Sequence, residues 1–407
     1  YDKPQPMSIL PGSLISSRAI QRFDEIHDRP FFYWLHYYDP HQPYQALGNY
    51  HRMYYTGDPN DSTHHSMEQA VFPTSWDRDS SNSWLKPYKD LDYFRKEYGA
   101  EISYMDSELG RVFDALRRLH LDENTIVVAV ADHGESMGEH GVYFDHWTPF
   151  DTDIRVPLIL SYPKSIPKGK RITHPVSTLD IMPTLLDLIG ESDNYLARKL
   201  MEGKSLRRLW ETDSQEEAIV AGMNGPYYID STVWNERYVL IWELLRIQYH
   251  GNFQTFSDRV WVYDRLNDPE QKQPAACFYW REEDSPTDRW EEEKKSQSLE
   301  ITEEQILHVK EKSLHKQIPS PDELKSWFLE RNGRDTIRDV YLNDPDFFNQ
   351  LVALLEAARR KVNPPTVWDR MKDLPDILAQ LGSKPAYLQQ VEPAMKEFLH
   401  SLGYVGQ

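Results

Sequence analysis

The sequence predicts an α/β protein with a mostly parallel sheet sandwiched by helices, followed by a smaller antiparallel sheet-plus-helix subdomain. Three observations support this fold class. The β-branched apolar runs at 125–131 and 156–161 are typical of strands buried on both faces. The segment 94–119 has the apolar spacing of a helix and precedes the first of these runs. From about residue 195 the apolar runs become shorter and lie between turn residues, which favours an antiparallel sheet.

The amino-terminal elements alternate between helix and strand. Residues 14–26 are predicted to form a helix that leads into the first strand. Residues 30–38 are dense in aromatic side chains, which favours a buried strand, and the Asp-Pro-His tripeptide at 39–41 ends it. Residues 45–90 are rich in Tyr, His, Asp, Ser and Pro and show little periodicity. They are predicted to form a long surface excursion near the entrance of a site.

The helix at 94–119 is predicted to be a crossover between parallel strands. Its apolar stripe consists of Tyr98, Ile102, Met105, Leu109, Val112, Phe113, Leu116 and Leu119. The strand that follows ends at the polar turn Asp132-His133-Gly134-Glu135, written DHGE below. Open α/β sheets place their ligand sites at such strand ends. Gly134 is expected to permit a sharp backbone turn there.

A second helix is predicted after the strand at 156–161. Ser177 or Thr178 caps it, it runs through Ile189, and Gly190 ends it in the position of a left-handed cap. The alternating order of strands and helices predicts right-handed crossovers and therefore a mostly parallel sheet.

The remaining sequence divides the chain further. Strands are predicted at 218–221, 238–244 and 260–263, and helical spacing recurs at 347–361 and 393–402. Residues 281–312 are charged and poor in apolar side chains, which indicates an exposed insertion or a solvated helix. The predicted units are an α/β core at 1–194, an antiparallel subdomain at 195–275, a charged insertion at 276–340 and a helical tail at 341–407.

Composition excludes several classes of function. The net charge of −19 argues against nucleic acid as a partner. No apolar run reaches the roughly 18–20 residues that span a membrane. The single cysteine excludes an internal disulfide framework. No signal peptide is present in a chain that begins at Tyr1, so a periplasmic or secreted location is expected if such a signal lies upstream and a cytoplasmic one otherwise. The oligomeric state is left open.

Four segments, in order along the chain, resemble the sulfatase family of the alkaline phosphatase superfamily. They are PFFYWLHYYDPHQPY at 30–44, YGAEISYMDSELGRVFDAL at 98–116, the DHGE turn with the GEHG, DH and RVPLIL segments that follow it, and PVSTLDIMPTLLDLIG at 175–190. A fifth segment, VYDRLNDPE at 262–270, resembles part of the family's smaller carboxy-terminal subdomain. The resemblance implies an alkaline phosphatase-like fold, incomplete at the amino end, and hydrolysis of sulfate esters.

The resemblance implies that Asp132 and His133 bind a metal ion, together with carboxylates from the family's first strand. Ca²⁺ is the expected ion, and the imidazole widens tolerance from Mg²⁺ towards Mn²⁺ or Zn²⁺. From the residues alone, Asp132 could instead cap a helix and His133 could be a hydrogen-bonded surface residue.

The resemblance assigns catalytic and substrate-binding roles to His41 and His146. A cationic or proton-donating His41 would contact the sulfate group or its leaving oxygen, where negative charge develops. His146, before the RVPLIL strand, would contact the anionic group. The alternatives are a turn histidine after Pro40 and a loop histidine paired with Asp145. Glu135 and Glu139 are candidate acceptors that could orient His133 or His140, although both could equally be solvated loop charges.

The nucleophile motif of the family, C/S-x-P-x-R, is absent from these 407 residues. The segment at 277–281 has the outer Cys and Arg but lacks the proline. The sequence therefore predicts a sulfuric ester hydrolase that uses a metal-assisted formylglycine mechanism, with the nucleophile upstream and a sulfated small molecule or glycan as partner. Two alternatives are a non-catalytic relative that binds an anionic glycan or partner, and a phosphodiesterase or phosphonate monoester hydrolase of the same superfamily.

Overall fold

The computed structural model describes most of the first two thirds of the chain and parts of the rest. The described residues are 10–70, 83–85, 87–146, 148–193, 201–212, 219–225, 228–247, 254–255, 259–279, 320–330, 336–337, 341 and 344–361. The chain divides into two compact units, one of residues 1–175 and 209–362 and the other of residues 176–208 and 363–407. Every predicted site residue belongs to the first unit.

The elements are numbered in chain order. The helices are α1 (Gly12–Ile26), α2 (Leu91–Arg118), α3 (Asp151–Ile154), α4 (Ile181–Leu188), α5 (Arg207–Glu211), α6 (Pro321–Glu330) and α7 (Pro345–Lys361). The strands are β1 (Val127–Val130), β2 (Ser136–Met137), β3 (Tyr143–Asp145), β4 (Leu158–Ser161), β5 (Ile219–Gly225), β6 (Tyr228–Trp234), β7 (Tyr238–Ile247), β8 (Gln254–Thr255), β9 (Arg259–Asp264), β10 (Ala276–Tyr279) and β11 (Thr336–Ile337). Within the described ranges, no helix is long and apolar enough to cross a bilayer.

The long helix α2 confirms the helix predicted at 94–119. Asp90 caps it by accepting a hydrogen bond from the Asp92 N–H at 3.1 Å, and its last turn carries basic residues that suit the helix dipole. Its buried face is more acidic than the predicted apolar stripe. Glu97 and Glu101 are buried on it, whereas Ile102 is 41% exposed. Two carboxylates thus lie inside the protein and need hydrogen-bond donors.

The prediction of a mostly parallel sheet is not confirmed. β1 pairs with β4 in antiparallel register, Val127 opposite Ser161 and Val130 opposite Leu158. Every strand pair among the described residues is antiparallel. The chain between β1 and β4 forms the short β2–β3 pair and one turn of helix, α3, and then returns beside β1 in the opposite direction.

The predicted buried strand at 30–38 was wrong in its pairing and in half of its burial. Residues 31–38 join no sheet among the residues that the structure describes. Phe31 and Leu35 pack against the cluster that α1 and α2 form. Phe32 and Trp34 point the other way and are 76% and 77% exposed. The aromatic density therefore reflects packing on one face, with the period of two expected for an extended segment.

The antiparallel sheet predicted for the carboxy-terminal part is confirmed. Its strand order is β11-β10-β9-β7-β6-β5, with β8 beside β7. Trp242 of β7 and Val262 of β9 are fully buried in a cluster with Phe347 and Leu351 of α7. β10 and β11 lie at the two ends of the predicted charged insertion, whose central part, 281–312, lies outside the described residues. The predicted helix at 393–402 also lies outside them.

The other unit contains α4, which ends within one residue of the predicted limit but begins at Ile181, after a 3-10 turn at Thr178–Asp180. Ser177 and Asp180 form a capping box before the helix, in which each side chain accepts a hydrogen bond from the backbone of the other end. Gly190 follows the helix with φ of 83°. Glycine is favoured at that position because a Cβ would strain the left-handed conformation.

Candidate active site

The DHGE turn lies directly after β1, where the sequence places it. The Asp132 side chain is 79% exposed and its Oδ2 is 3.8 Å from Nε2 of His133. The Oδ1 atom accepts a hydrogen bond from the backbone N–H of His133 at 3.0 Å. The Nδ1 of His133 lies 2.7 Å from the carbonyl oxygen of Gly134, which acts as acceptor and so directs the proton to Nδ1. The two predicted metal ligands therefore lie side by side.

Gly134 is required for a different reason from the predicted one. It is not among the residues with positive φ. Its N–H donates to the carbonyl of Asp153 at 2.5 Å, and a Cβ at this position would lie 2.0 Å from the carbonyl oxygen of Thr152. The absence of a side chain therefore allows the turn to contact the backbone of α3 directly.

His146 follows β3 and contacts His133. The two imidazole rings stack with their centroids 3.7 Å apart and their planes at 16°. The His146 N–H donates to Oδ1 of Asp145 at 2.8 Å. The structure thus brings a predicted metal ligand and a predicted anion contact into direct ring contact.

His41 is held by its own loop. Its Nδ1 is 2.7 Å from the carbonyl oxygen of Gln42, and its Nε2 is 3.2 Å from the Tyr38 hydroxyl. Because the carbonyl can only accept, Nδ1 carries the proton and Nε2 accepts from the phenol. Burial lowers the pKa of His41, while the charge of Glu135 opposes this. The charge of His146 also acts on His41, so the two predicted anion contacts share one electrostatic neighbourhood.

Two buried aspartates, Asp145 and Asp153, lie next to the DHGE turn and His146. Burial raises the pKa of Asp145 to about 6. Asp153 accepts hydrogen bonds from Oγ of Ser136 at 2.6 Å and from the N–H of Thr148 at 2.9 Å. These contacts hold α3 against β2 and against the loop that follows β3, beside the DHGE turn.

Glu135 is the site residue that sequence reasoning placed least well. The sequence suggests it as an acceptor for His133 or His140, or as a solvated charge. Its side chain is only 5% exposed, and its Oε1 is 3.9 Å from Nδ1 of His146. The other candidate acceptor, Glu139, accepts from the N–H of Met137 at 2.6 Å. The alternation of residues along one strand could not have predicted that His146 lies next to Glu135. The two residues are neighbours because β2 pairs with β3.

The start of the predicted surface excursion is anchored to α2 by the two buried glutamates. Glu97 accepts hydrogen bonds from the N–H of Ala46 at 3.2 Å, from the N–H of Arg52 at 2.6 Å and from Nδ1 of His51 at 3.0 Å. Glu101 accepts from the N–H of Gln45 at 2.8 Å. Residues 45–52 are therefore fixed against α2. Residues 71–82 and 86 of the excursion lie outside the described residues.

Glu101 should make the stability of the protein depend on pH. Burial, with the charges of Asp39 and Glu97, raises the pKa of Glu101 to about 8 against the effect of the Gln45 N–H. The folded state binds this proton more tightly than the unfolded state, so its stabilisation is complete below the unfolded pKa and is lost as pH rises through about 8. Glu101→Gln should therefore raise the free energy of unfolding at about pH 9 by about 1–3 kcal/mol, with little effect at about pH 5.

Urea denaturation at both pH values measures this difference. The control is Glu25→Gln on α1, where the side chain is 48% exposed and paired with Arg22. A parallel pH dependence for Glu101→Gln and the unmodified protein would contradict the assignment.

The described residues do not complete a metal site. Among them, no group of three or more His, Cys, Asp or Glu side chains converges to hold a metal ion. Asp132 and His133 supply a carboxylate and an imidazole, and these donor types suit a divalent cation. Asp132 and His133 can therefore supply part of the ligand set of a metal ion, but they do not form a complete metal site by themselves.

Comparison with known proteins identifies the family. A family model described as Sulfatase matches residues 16–191, and a second one, described as N-sulphoglucosamine sulphohydrolase, C-terminal, matches residues 138–274. The matched part of the chain, residues 16–274, belongs to the sulfatase family. Membership of the alkaline phosphatase superfamily follows from this. The first match contains His41, the DHGE turn and His146.

Curated sulfatases are similar to parts of the chain. A sulfatase of Formosa agariphila is 29% identical over 282 residues, which are 66% of this chain and 50% of the relative. A choline-sulfatase of Rhizobium meliloti is 32% identical over 178 residues, which are 42% of this chain and 33% of the relative. The chain thus spans between a third and a half of these sulfatases.

A solved structure is also similar. It is the phosphonate monoester hydrolase of Silicibacter pomeroyi, with a TM-score of 0.48 and 20% identity over 63% of this chain and 54% of that one.

Proposed function

We propose that this chain forms the metal-ligand and anion-contact part of a sulfuric ester hydrolase. The observation that carries the proposal is the stacking of His133 on His146, with ring centroids 3.7 Å apart. A ligand for a cation, after β1, and a hydrogen-bond donor for an anion, after β3, then lie in contact, in a chain that matches the sulfatase family model. The sulfate group would lie across His146 and His41.

The chemistry is cleavage of an S–O ester bond, in which negative charge develops on the leaving oxygen. His41 in its cationic form, in which Nε2 is also protonated, and an N–H of the His146 imidazole would stabilise that charge or protonate the leaving oxygen. A divalent cation, Ca²⁺ by resemblance, would neutralise charge on the sulfate oxygens when held by Asp132, His133 and further donors. The nucleophile, a formylglycine by resemblance, would come from polypeptide additional to these 407 residues. The substrate would be a sulfated small molecule or glycan.

Activity of the natural full-length protein tests the proposal. We expect hydrolysis of 4-nitrophenyl sulfate to be faster than hydrolysis of bis(4-nitrophenyl) phosphate. Asp132→Ala and His133→Ala should each lower kcat/KM for the sulfate by about 10²–10³-fold or more, because each removes charge stabilisation that no neighbour replaces. The matched control is His65→Ala, whose side chain is 68% exposed and paired with Glu68.

Three results would contradict the proposal. A clear preference for the phosphate diester would assign the protein to the phosphodiesterases or phosphonate hydrolases of the superfamily. Saturable binding of a sulfated glycan without turnover of either ester would identify a non-catalytic relative. Near-normal turnover in either alanine variant would exclude the ligand assignment.

A further inference from the structure

The short helix α3 lies between the DHGE turn and the antiparallel sheet. On one side, the carbonyl of Asp153 accepts the N–H of Gly134 at 2.5 Å, and Oδ1 of Asp153 accepts from Oγ of Ser136 at 2.6 Å. On the other side, Phe150, directly before the helix, packs in an apolar cluster with side chains of β6, β7 and β9. The helix has only four residues, and a single turn is not stable by itself. Contacts with its neighbours therefore determine where α3 lies.

Gln271, which follows β9, binds the first residue of α3 with both ends of its side-chain amide. Its Oε1 accepts the backbone N–H of Asp151 at 3.0 Å, and its Nε2 donates to Oδ1 of Asp151 at 3.1 Å. The indole N–H of Trp234 in β6 donates to the same Oδ1 at 3.1 Å. The first N–H groups of a helix have no partner within the helix, so Gln271 supplies an acceptor that α3 lacks. Three hydrogen bonds thus hold Asp151 against the antiparallel sheet.

The backbone of Gln271 has a conformation that favours glycine. Its φ is 54°, and only 2% of the residue is exposed. The turn is built by Asp268, whose carboxylate accepts the N–H groups of Lys272 and Gln273 at 3.0 Å and 2.7 Å. A side chain persists at such a strained position where its surroundings compensate for the strain. In the described part of the chain, the hydrogen bonds of the Gln271 side chain both go to Asp151.

A displacement of α3 would reach the predicted metal ligands within one residue. Gly134 contacts the backbone of α3 without any intervening side chain, and a Cβ there would lie 2.0 Å from the carbonyl oxygen of Thr152. His133 directly precedes Gly134, and its Nδ1 is 2.7 Å from the Gly134 carbonyl oxygen. The backbone of the turn and the imidazole of His133 should therefore move together with α3.

We propose that Gln271, supported by Trp234, is a positioning residue for the metal-ligand turn. Its amide fixes Asp151, and α3 then fixes the DHGE turn with Asp132 and His133. The inference rests on the metal-ligand role of these two residues in the proposed function. It gives the carboxy-terminal antiparallel sheet a part in the site, although Gln271 and Trp234 are not themselves ligands.

Histidine side-chain NMR spectra of the 407-residue chain test this inference without turnover. The rings of His133 and His146, stacked 3.7 Å apart, shift the signals of each other, and His133→Gln and His146→Gln assign these signals. Gln271→Gly removes the amide and suits the positive φ, so the turn itself is not strained. We expect this variant to move the signals of both rings. The same substitution at Gln273, an exposed residue of the same turn, should leave them unchanged.

Two further variants separate positioning from stability. Gln271→Met keeps the size of the side chain and removes both hydrogen bonds to Asp151, so it should also move the signals of both rings. Asp151→Asn keeps the acceptor Oδ1 and should leave the signals near their original positions. A loss of stability in Gln271→Met with unchanged ring signals would exclude the positioning role. This variant decides the question if Gln271→Gly does not fold.

The natural full-length protein supplies a second readout and separates this inference from the proposed function. Gln271→Met should raise the Ca²⁺ concentration for half-maximal hydrolysis of 4-nitrophenyl sulfate by about 10-fold, with kcat restored at saturating Ca²⁺. Gln273→Met should leave this concentration unchanged. An unchanged Ca²⁺ requirement in Gln271→Met would exclude the positioning role. Absence of turnover in the unmodified full-length protein would instead overturn the proposed function, and the ring signals of the 407-residue chain would still decide whether Gln271 positions the turn.

Discussion

Replacing Gly134 by alanine should displace the DHGE turn and lower the free energy of unfolding by about 2–4 kcal/mol. The added Cβ would lie 2.0 Å from the carbonyl oxygen of Thr152 and 3.3 Å from Cα of Asp153. Both are backbone atoms of α3, so no side-chain rotation can relieve the overlap. The hydrogen bond from the Gly134 N–H to the carbonyl of Asp153 would be lost as the two segments separate. Urea denaturation measures the loss of stability.

Gly110→Ala is the matched control for this substitution. Gly110 lies within α2, and an added Cβ there would have nothing within 4 Å. The alanine should be neutral or should stabilise the protein by up to about 1 kcal/mol, because it restricts the unfolded chain and favours the helix. In Gly134→Ala the ring stacking of His133 on His146 should also be disturbed, which histidine NMR signals would report. Equal unfolding free energies for the two variants would contradict the close-approach account of Gly134.

The sequence placed β1, the DHGE turn and α4 correctly because local features fix these elements. A β-branched run followed by polar residues identified β1 and the turn after it, and capping residues located α4. These features depend on residues within a few positions of each other. The same holds for β5, β7 and β9, whose apolar runs and flanking turns are encoded locally, whereas β6 and β8 were not predicted.

The errors arose where burial depends on distant parts of the chain. The apolar periodicity of α2 predicts a hydrophobic buried face. Glu97 and Glu101 are nevertheless buried there, because backbone N–H groups of residues 45–52 donate hydrogen bonds to them. The aromatic density at 30–38 predicted a buried strand, but only the face towards α1 and α2 is covered in the described part of the chain. No local sequence pattern shows which distant segment will donate hydrogen bonds to a buried acid, or which segment will cover the second face of an extended stretch.

Glu97→Ala should have the other large effect, a loss of about 3–5 kcal/mol in the free energy of unfolding. The Glu97 side chain is fully buried and accepts three hydrogen bonds from residues 45–52. Alanine would remove these bonds and leave the N–H of the buried Ala46 without its acceptor. Hydrogen exchange followed by mass spectrometry should show faster exchange at residues 45–52.

The control for Glu97→Ala is Asp114→Ala on the same helix, where the carboxylate is 73% exposed and its pair with Arg117 should contribute less than about 1 kcal/mol. The comparison also tests how the site is held together, because Tyr44 directly precedes the anchored segment and lies beside Glu135. If Glu97 fixes that segment, its removal should loosen Tyr44 and change the NMR signal of the His146 side chain. Destabilisation with an unchanged His146 signal would show that the loop and the site are energetically independent, and that the buried acids of α2 serve stability alone.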